Sequence, residues 1–237
     1  MTLARELVRA RRVTEFGTLL LDDRPLEPAP AERARAAMLA GIALLGLDAL
    51  PWDDTTHEFC ARANFARALA SQAGDPWPDY SPQTLLSELG DWLSPWLDGV
   101  TRRSHLSRLP LIDALRARLP QTLQRTLDGL APTHLQVPTG TRVRIDYRDD
   151  LAPCVSVRMQ EVYGMAVTPR IGGGAVPVTF KLLSPAQRPL QVTRDLASFW
   201  RNAYVEVRKD MRGRYPRHNW PENPLEAEPT RGLKRRK

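Results

Sequence analysis

Three arginines fall at positions where neighbouring strands of a sheet would expose them on one side. Arg142 and Arg144 alternate with apolar residues in the segment 142–148, and Arg158 follows the same alternation in the segment 153–159. A period of two places successive side chains on opposite faces of a strand, so the arginines would share the solvent-facing side. Guanidinium groups in such an array can follow a phosphate backbone. An ordinary solvated sheet face is the alternative interpretation.

A second group of candidate residues combines cations with aromatic rings near the end of the chain. Aromatic rings can stack on bases while cations bind phosphates, so the group predicts contact with single-stranded nucleic acid. The same rings could instead be buried and hold a proline-rich extension against the rest of the protein. Both interpretations are compatible with the sequence. The group comprises Arg212, Arg214, Tyr215, Arg217, His218 and Trp220.

Other kinds of chemistry have no support in the residue pattern. The four histidines lie in different segments, and none is spaced with cysteines or carboxylates as zinc ligands are. The glycine-rich run 171–174 lacks the lysine and the serine or threonine of a phosphate-binding loop, so we interpret it as a turn that lets two backbone segments approach. We therefore predict no catalytic, cofactor-binding or metal-binding residue in this chain.

The distribution of charge favours a polyanionic partner. Residues 1–138 carry 15 basic and 17 acidic side chains, residues 139–200 carry 8 and 5, and residues 201–237 carry 11 and 5. The net charge therefore rises along the chain from −2 through +3 to +6, which gives the formal total of +7. Basic side chains gain binding free energy by releasing counterions from phosphates, which predicts RNA or another single-stranded nucleic acid as partner. A solvated basic surface with a disordered tail is the alternative.

The overall composition is that of a folded protein in a reducing compartment. Hydrophobic residues make up 42% and charged residues 26% of the chain, close to the globular average. The longest apolar run, 38–50, is too short and too interrupted to span a bilayer, and the N-terminus lacks the apolar stretch of a secretory signal. With two cysteines, Cys60 and Cys154, no disulfide framework is expected. We expect a cytoplasmic monomer without membrane contact.

The first two of three predicted parts precede the arginine-bearing strands. Residues 1–30 contain a strand that runs into a turn at 22–25, and we interpret them as the remnant of an upstream β unit. Residues 31–131 predict a helical linker domain, because apolar residues recur at spacings of three and four. Its second helix is expected to end near Gln72, and a later one to begin at Ser81 and Pro82 and to carry one apolar stripe over residues 85–97.

The third predicted part, residues 132–237, changes to a period of two. Five short apolar segments with hairpin-length connections predict an antiparallel β-sheet or small barrel. A long helix at about 194–212, capped by Thr193 or Asp195 and ended by Gly213, and a basic tail should follow. The predicted fold class is α+β, with a helical region and a leading strand before the sheet.

The same segments resemble HrpB-type ATP-dependent RNA helicases. The stretch 135–224, from LQVPTG to NWPENP, is similar to the C-terminal domain of that family nearly throughout. Upstream, FGTLLLDDRPL, ALPW, DWLSPWLDG and LPLIDALRARLP resemble the portion that links the helicase core to this domain. The similarity covers most of the chain.

This resemblance implies an accessory role in a motor enzyme. The family belongs to the DExH group of superfamily 2, whose members couple ATP hydrolysis to movement along RNA through two RecA-like domains. The present sequence contains neither the Gly-Lys-Thr phosphate loop nor a DExH box, so ATP and Mg²⁺ are expected in the motor domains and not in this chain. RNA contact and docking to the motor domains are the implied tasks. A protein-interaction platform without significant RNA affinity is the alternative.

Overall fold

The computed structural model describes residues 11–25, 30–70, 77–150 and 152–232. These residues form two compact units: 11–25, 30–67 and 77–121 make up the first, and 68–70, 122–150 and 152–232 the second. Predictions for residues 1–10, for the end of the second helix at 71–76 and for the tail at 233–237 lie outside the described ranges. None of the helices described has both the length and the apolar character of a membrane-spanning segment.

The first unit opens with two strands and is otherwise helical. Its strands are β1 (Arg11–Phe16) and β2 (Leu19–Pro25). Its helices are α1 (Ala31–Leu45), α2 (Asp54–Ala70), α3 (Pro82–Ser87), α4 (Leu89–Leu93), α5 (Arg103–Leu106) and α6 (Leu111–Ala117), and the last three residues of α2 belong to the second unit. Short 3-10 turns lie at Leu47–Ala49 and Ser94–Trp96.

The leading segment is a hairpin, so the prediction of one strand was wrong. The chain reverses at Gly17, whose φ of 62° lies in the left-handed region that glycine adopts without a steric penalty. The residues predicted as a turn, 22–25, instead belong to β2, where Asp23 accepts a hydrogen bond from Arg11 at 2.6 Å. The apolar side chains of the hairpin are exposed: Val13, Phe16, Leu19, Leu20 and Leu21.

Helix boundaries in the first unit follow the predicted capping residues. Gly46 ends α1 with a φ of 82°, and three of the four apolar side chains predicted to face the core from α1 are buried, whereas the fourth, Leu45, is exposed. The hydroxyl of Ser81 accepts a hydrogen bond from the amide of Thr84, which confirms the predicted start of α3. Asp53 and Thr56 cap α2 reciprocally, each side chain accepting from the other's backbone amide.

The apolar stripe predicted over residues 85–97 lies on three short elements instead of one helix. The indole of Trp92 donates to the carbonyl of Leu85 at 2.9 Å, a carbonyl that an unbroken helix would use for the amide of Leu89. Pro95 has no backbone N–H, and the chain tightens there into a 3-10 turn. Leu85 and Trp92 are nevertheless buried.

The second unit combines strands with a terminal helical segment. After residues 68–70, it continues with α7 (Gln121–Leu130), whose first residue belongs to the first unit. Its strands are β3 (His134–Gln136), β4 (Arg142–Asp146), β5 (Cys154–Arg158), β6 (Arg170–Ile171), β7 (Val176–Pro177), β8 (Thr179–Leu183) and β9 (Pro189–Thr193). The final helical segment consists of α8 (Leu196–Ser198), a π-helical turn (Phe199–Ala203) and α9 (Tyr204–Arg214).

A five-stranded sheet in the order β3-β4-β5-β8-β9 forms the centre of this unit. The α+β prediction is confirmed, and three of the four strand pairings are antiparallel as predicted. The pairing of β5 with β8 is parallel, because the intervening chain crosses over through a 3-10 turn (Met159–Val162) and the separate β6–β7 hairpin. The segment 176–183, predicted as one strand, is therefore divided between β7 and β8.

The terminal helical segment begins as predicted and ends later than predicted. The carboxylate of Asp195 accepts from the amide of Ser198 at 2.9 Å and caps it. Helix continues through Gly213 to Arg214, since the amide of Tyr215 still donates to the carbonyl of Met211. The π-helical turn inserts a residue and rotates the buried face, so that Tyr204 is buried.

Candidate nucleic-acid interface

The sheet places the three predicted arginines on one face. In the pairing of β4 with β5, Asp146 lies opposite Cys154. Side chains on one face of a strand recur every two residues. Arg142 and Arg144 on β4 therefore share a face with Arg158 on β5. Arg142 and Arg144 are exposed and Arg158 is half-buried. We call these three residues the arginine face; their common placement is confirmed, and their binding of nucleic acid stays a prediction.

The arginine face has a further basic neighbour that the sequence reasoning missed. Lys181 on β8 lies opposite Ser156 of β5 and therefore on the same side of the sheet. Its ammonium group donates a hydrogen bond to the carboxylate of Asp149, which raises the pKa of Lys181. This charge is thus neutralised locally. The available signal was a single charged residue within the apolar segment TFKLL.

Arg158 is held in place by a distant part of the chain. Its guanidinium Nη1 donates to the carbonyl of Arg231 at 3.3 Å, and Arg231 in turn donates to the carbonyl of Thr139 at 3.0 Å. The amide of Thr230 donates to the carbonyl of Gln160 at 3.0 Å. The last described residues therefore bring Arg231, another missed cation, to the edge of the arginine face. A strand pattern could not have placed a residue 73 positions away.

The extension, residues 215–224, is attached mainly through its backbone carbonyls. Side chains from the 3-10 turn after β5 and from α9 donate to three successive carbonyl groups. The bonds are Gln160 and Tyr163 to Asn219 at 3.3 and 3.1 Å, Arg208 to Trp220 at 3.0 Å, and Tyr204 to Pro221 at 2.8 Å. A packed group of aromatic rings supports these donors, with Trp200 and Tyr204 centroids 5.4 Å apart. These contacts fix the path of the extension.

The aromatic residues predicted for base stacking differ in their exposure. Trp220 retains only 7% of its accessible surface, and its indole N–H donates to the carbonyl of Tyr215 at 2.8 Å. Its ring therefore does not face solvent, as the structural interpretation of the extension expected. Tyr215 is half-buried and meets His218 edge to face, with centroids 6.1 Å apart.

The cations predicted in the same group are mostly exposed. Arg212 and Arg214 lie in the last turn of α9, and Arg214 forms an ion pair with Asp210 at 2.9 Å. Arg217 is exposed on the extension. The structure thus separates the predicted group into buried or half-buried rings and exposed cations.

His218 connects the extension electrostatically with the arginine face. Burial lowers the pKa of His218, and the positive charges of Arg158 and Arg217 lower it further. The imidazole is therefore neutral near pH 7. The arginine face and the extension are separate segments in the sequence. The fold places Arg158, Arg217 and His218 within electrostatic reach of one another.

The glycine-rich run serves the structural purpose that we predicted. Residues 172–174 connect β6 to β7. The amide of Gly172 donates to the carbonyl of Leu130 at 2.9 Å, and a Cβ atom at this position would lie 2.4 Å from a methyl group of Leu69. The φ of 64° at Gly172 lies in the left-handed region, which favours glycine, and a side chain here would also displace the Leu69 methyl group. Within the described ranges, no three His, Cys, Asp or Glu side chains come together in a group that could hold a metal ion.

Comparison with known proteins identifies the family. Residues 92–224, more than half of the chain, match the family described as ATP-dependent helicase C-terminal. The chain belongs to this family. It is 40% identical over 232 residues to the ATP-dependent RNA helicase HrpB of Escherichia coli strain K12, which covers 98% of this chain and 28% of that relative. The predicted resemblance to HrpB-type helicases is confirmed.

Two solved structures agree with this family membership. The crystal structure of the E. coli DExH-box NTPase HrpB matches with a TM-score of 0.79 and 38% identity, over 95% of this chain and 30% of that one. The crystal structure of the E. coli DEAH/RHA helicase HrpB matches with a TM-score of 0.68 and 35% identity, over 93% of this chain and 30% of that one. The chain spans less than a third of these relatives and corresponds to the C-terminal region of an ATP-dependent helicase.

Proposed function

We propose that this helicase C-terminal region contacts single-stranded RNA through the arginine face and docks to the helicase motor domains. In this proposal the motor domains bind ATP and Mg²⁺, and this chain contributes RNA contact without an ATPase site of its own. The single observation that carries the RNA contact is that Arg142, Arg144 and Arg158 lie on one side of the sheet, where Arg142 and Arg144 are exposed and Arg158 is half-buried.

The geometry of the arginine face suits a backbone more than a base. Alternate residues on one strand are separated by about 7 Å, so a strand of RNA running along β4 would meet one guanidinium group after another. Guanidinium groups bind phosphate oxygens through two parallel N–H donors. The buried ring of Trp220 cannot stack on a base in this conformation, and the expected contact is therefore tolerant of sequence.

The test is salt-dependent binding of a fluorescently labelled oligouridine, followed by fluorescence anisotropy. The triple variant Arg142→Ala, Arg144→Ala, Arg158→Ala should bind more weakly. Its plot of log affinity against log salt concentration should lose about 2 units of slope, because each phosphate contact on a single strand contributes about 0.7. Affinity and slope equal to those of the unaltered chain would contradict the RNA contact.

A matched control removes the same number of positive charges from the first, largely helical unit. The triple variant Arg102→Ala, Arg103→Ala, Arg108→Ala also loses three exposed arginines. It should leave both the affinity for the oligouridine and its salt slope close to those of the unaltered chain. An equal loss in both triple variants would mean that net charge alone drives binding.

The exposed hairpin β1–β2 supports docking to the motor domains. Phe16 exposes 78% of its surface and Leu19 exposes 63%, which is unusual for large apolar side chains clustered on one short element. Co-purification of this chain with the separately expressed motor domains of an HrpB-type helicase tests the docking. The variant Phe16→Asp should weaken the association, whereas Leu44→Asp, at another exposed leucine on α1, should not.

A protein-interaction platform without RNA affinity is the second candidate function, favoured by the burial of Trp220, which removes one of the rings predicted to stack on bases. It predicts stable association with the motor domains together with no salt-dependent binding of the oligouridine. Binding of the oligouridine that depends on the arginine face would exclude it.

A further inference from the structure

The first, largely helical unit contains an open groove that the proposed function does not use. Its volume is about 730 Å³, and all its lining residues lie between positions 77 and 118. Half of the six tryptophans of the chain line it, together with two prolines. We call it the tryptophan groove, defined by Trp77, Pro78, Trp92, Pro95 and Trp96.

Two buried hydrogen-bond donors in the wall of the tryptophan groove have no acceptor among the residues described. They are the indole N–H of Trp77, a residue that is 6% exposed, and the Nε–H of Arg118. Another guanidinium nitrogen of Arg118 is satisfied, because Nη2 donates to Glu88 at 2.7 Å and to the carbonyl of Asp79 at 3.3 Å. Buried donors in native proteins are nearly always paired. Both atoms are out of contact with solvent, so a carbonyl oxygen of a ligand would pair with them only after the side chains that cover them move aside.

The charges around the tryptophan groove select against anions. Three carboxylates line it: Asp79 is paired with Arg67 and Glu88 with Arg118, so that Asp91 supplies the uncompensated negative charge. Burial raises the pKa of Asp79, but hydrogen bonds from Ser81 and the charge of Arg67 outweigh it, so that the pKa is lowered overall and the group is ionised. Asp91 is exposed and has no ion-pair partner in the described ranges. A cationic group would therefore be attracted to this rim.

We propose that the tryptophan groove binds an extended, proline-rich segment of a partner protein that carries arginine or lysine. Such segments form the polyproline II helix, which docks in aromatic-lined grooves because little conformational entropy is lost on binding. Proline residues present carbonyl acceptors and no N–H donors, so such a segment adds no unpaired donor to the site. The cation would lie between Asp91 and the ring of Trp96. This inference goes beyond the proposed function and uses no residue of the arginine face.

The experiment titrates the full chain into a fluorescein-labelled peptide of three Arg-Pro-Pro repeats with blocked ends, followed by fluorescence anisotropy. Binding should saturate. Trp96→Ala should weaken it about tenfold or more, as expected for an aromatic anchor, and Asp91→Asn about two- to fivefold, as expected for an exposed ion pair. Glu206→Gln, at an exposed carboxylate of the second unit, should leave the affinity for the peptide unchanged.

A second peptide, three Arg-Gly-Gly repeats, carries the same charge without the polyproline preference and should bind about tenfold more weakly. Absence of saturable binding would overturn the proposal. The proposal would also be overturned if the unaltered chain bound the two peptides equally well. The same holds if both groove variants bound the Arg-Pro-Pro peptide as tightly as the unaltered chain does. Asp91 is exposed, so the Asp91→Asn comparison stands even if Trp96→Ala fails to fold.

The two proposals fail independently. The triple variant of the arginine face should bind the Arg-Pro-Pro peptide as the unaltered chain does, and Asp91→Asn should bind the oligouridine as the unaltered chain does. Loss of oligouridine binding in Asp91→Asn with no loss of peptide binding would assign the groove to RNA and overturn the peptide proposal.

Discussion

The arginine face and the extension both contain residues predicted to bind nucleic acid, but the fold uses them differently. Arg142 and Arg144 project from a strand into solvent, whereas the extension is tied down by hydrogen bonds to its carbonyl groups and buries Trp220. Arg158 links the two regions, because it lies on the sheet and its positive charge helps to lower the pKa of His218 in the extension. Exposure, more than composition, therefore distinguishes a surface that can meet RNA from a segment that stabilises the fold.

Substitution of Trp220 tests this distinction with the largest expected effect. Trp220→Ala removes a buried indole and the hydrogen bond to Tyr215, and should lower the free energy of unfolding by about 3 to 5 kcal/mol. Urea denaturation followed by circular dichroism measures it. Arg212→Ala, at an exposed cation of the same predicted group, should stay within about 0.5 kcal/mol. A Trp220→Ala variant that is stable but loses affinity for RNA would assign the ring to binding.

Single substitutions on the sheet should distinguish Arg158, which links the two regions, from Arg142. Arg158→Ala should lower both the affinity for oligouridine and, by about 1 kcal/mol, the free energy of unfolding, because it removes the hydrogen bond to Arg231. Arg142→Ala should lower the affinity alone. Oligouridine titrations and urea denaturation of both variants provide the measurement, and a loss of stability in Arg142→Ala equal to that in Arg158→Ala would remove the distinction.

The smallest expected effect is a pH dependence that arises at the junction of the two regions. The pKa of His218 is below its ordinary value of 6.5 in the folded protein, first because of burial and then because of Arg158 and Arg217. The unfolded chain therefore binds more protons in the interval below pH 6.5, and stability should fall as the pH decreases through that interval. Urea midpoints between pH 5.5 and pH 7 should vary less in His218→Gln than in the unaltered chain. Identical pH profiles would show that His218 does not contribute.

The tryptophan groove extends the comparison to a surface of the opposite charge. The arginine face presents cations, whereas carboxylates and tryptophan rings line the groove. Each surface excludes the ligand that the other attracts. The sequence indicated this contrast only as a rise in net charge from −2 to +6 along the chain.

Local patterns were sufficient to predict most of the elements. The four-residue spacing of buried side chains in α1, the cap at Ser81 and the alternation in β4 and β5 depend on neighbours within a few residues, and all were confirmed. The position of the turn at Gly17 and the π-helical turn before Tyr204 were missed. In both places more than one local conformation satisfies the backbone hydrogen bonds, and packing selects between these conformations.

The sequence by itself determined which residues alternate toward solvent, where several helices begin, and that the chain belongs with helicase C-terminal regions. Only the tertiary structure decided that β5 and β8 run parallel, that Arg231 reaches Arg158, and that Trp220 is buried. The same structure assembled the tryptophan groove from three short helical elements. The physical reason is that periodicity and capping are local properties of the chain, whereas contacts between residues dozens of positions apart depend on how the whole unit closes around its core.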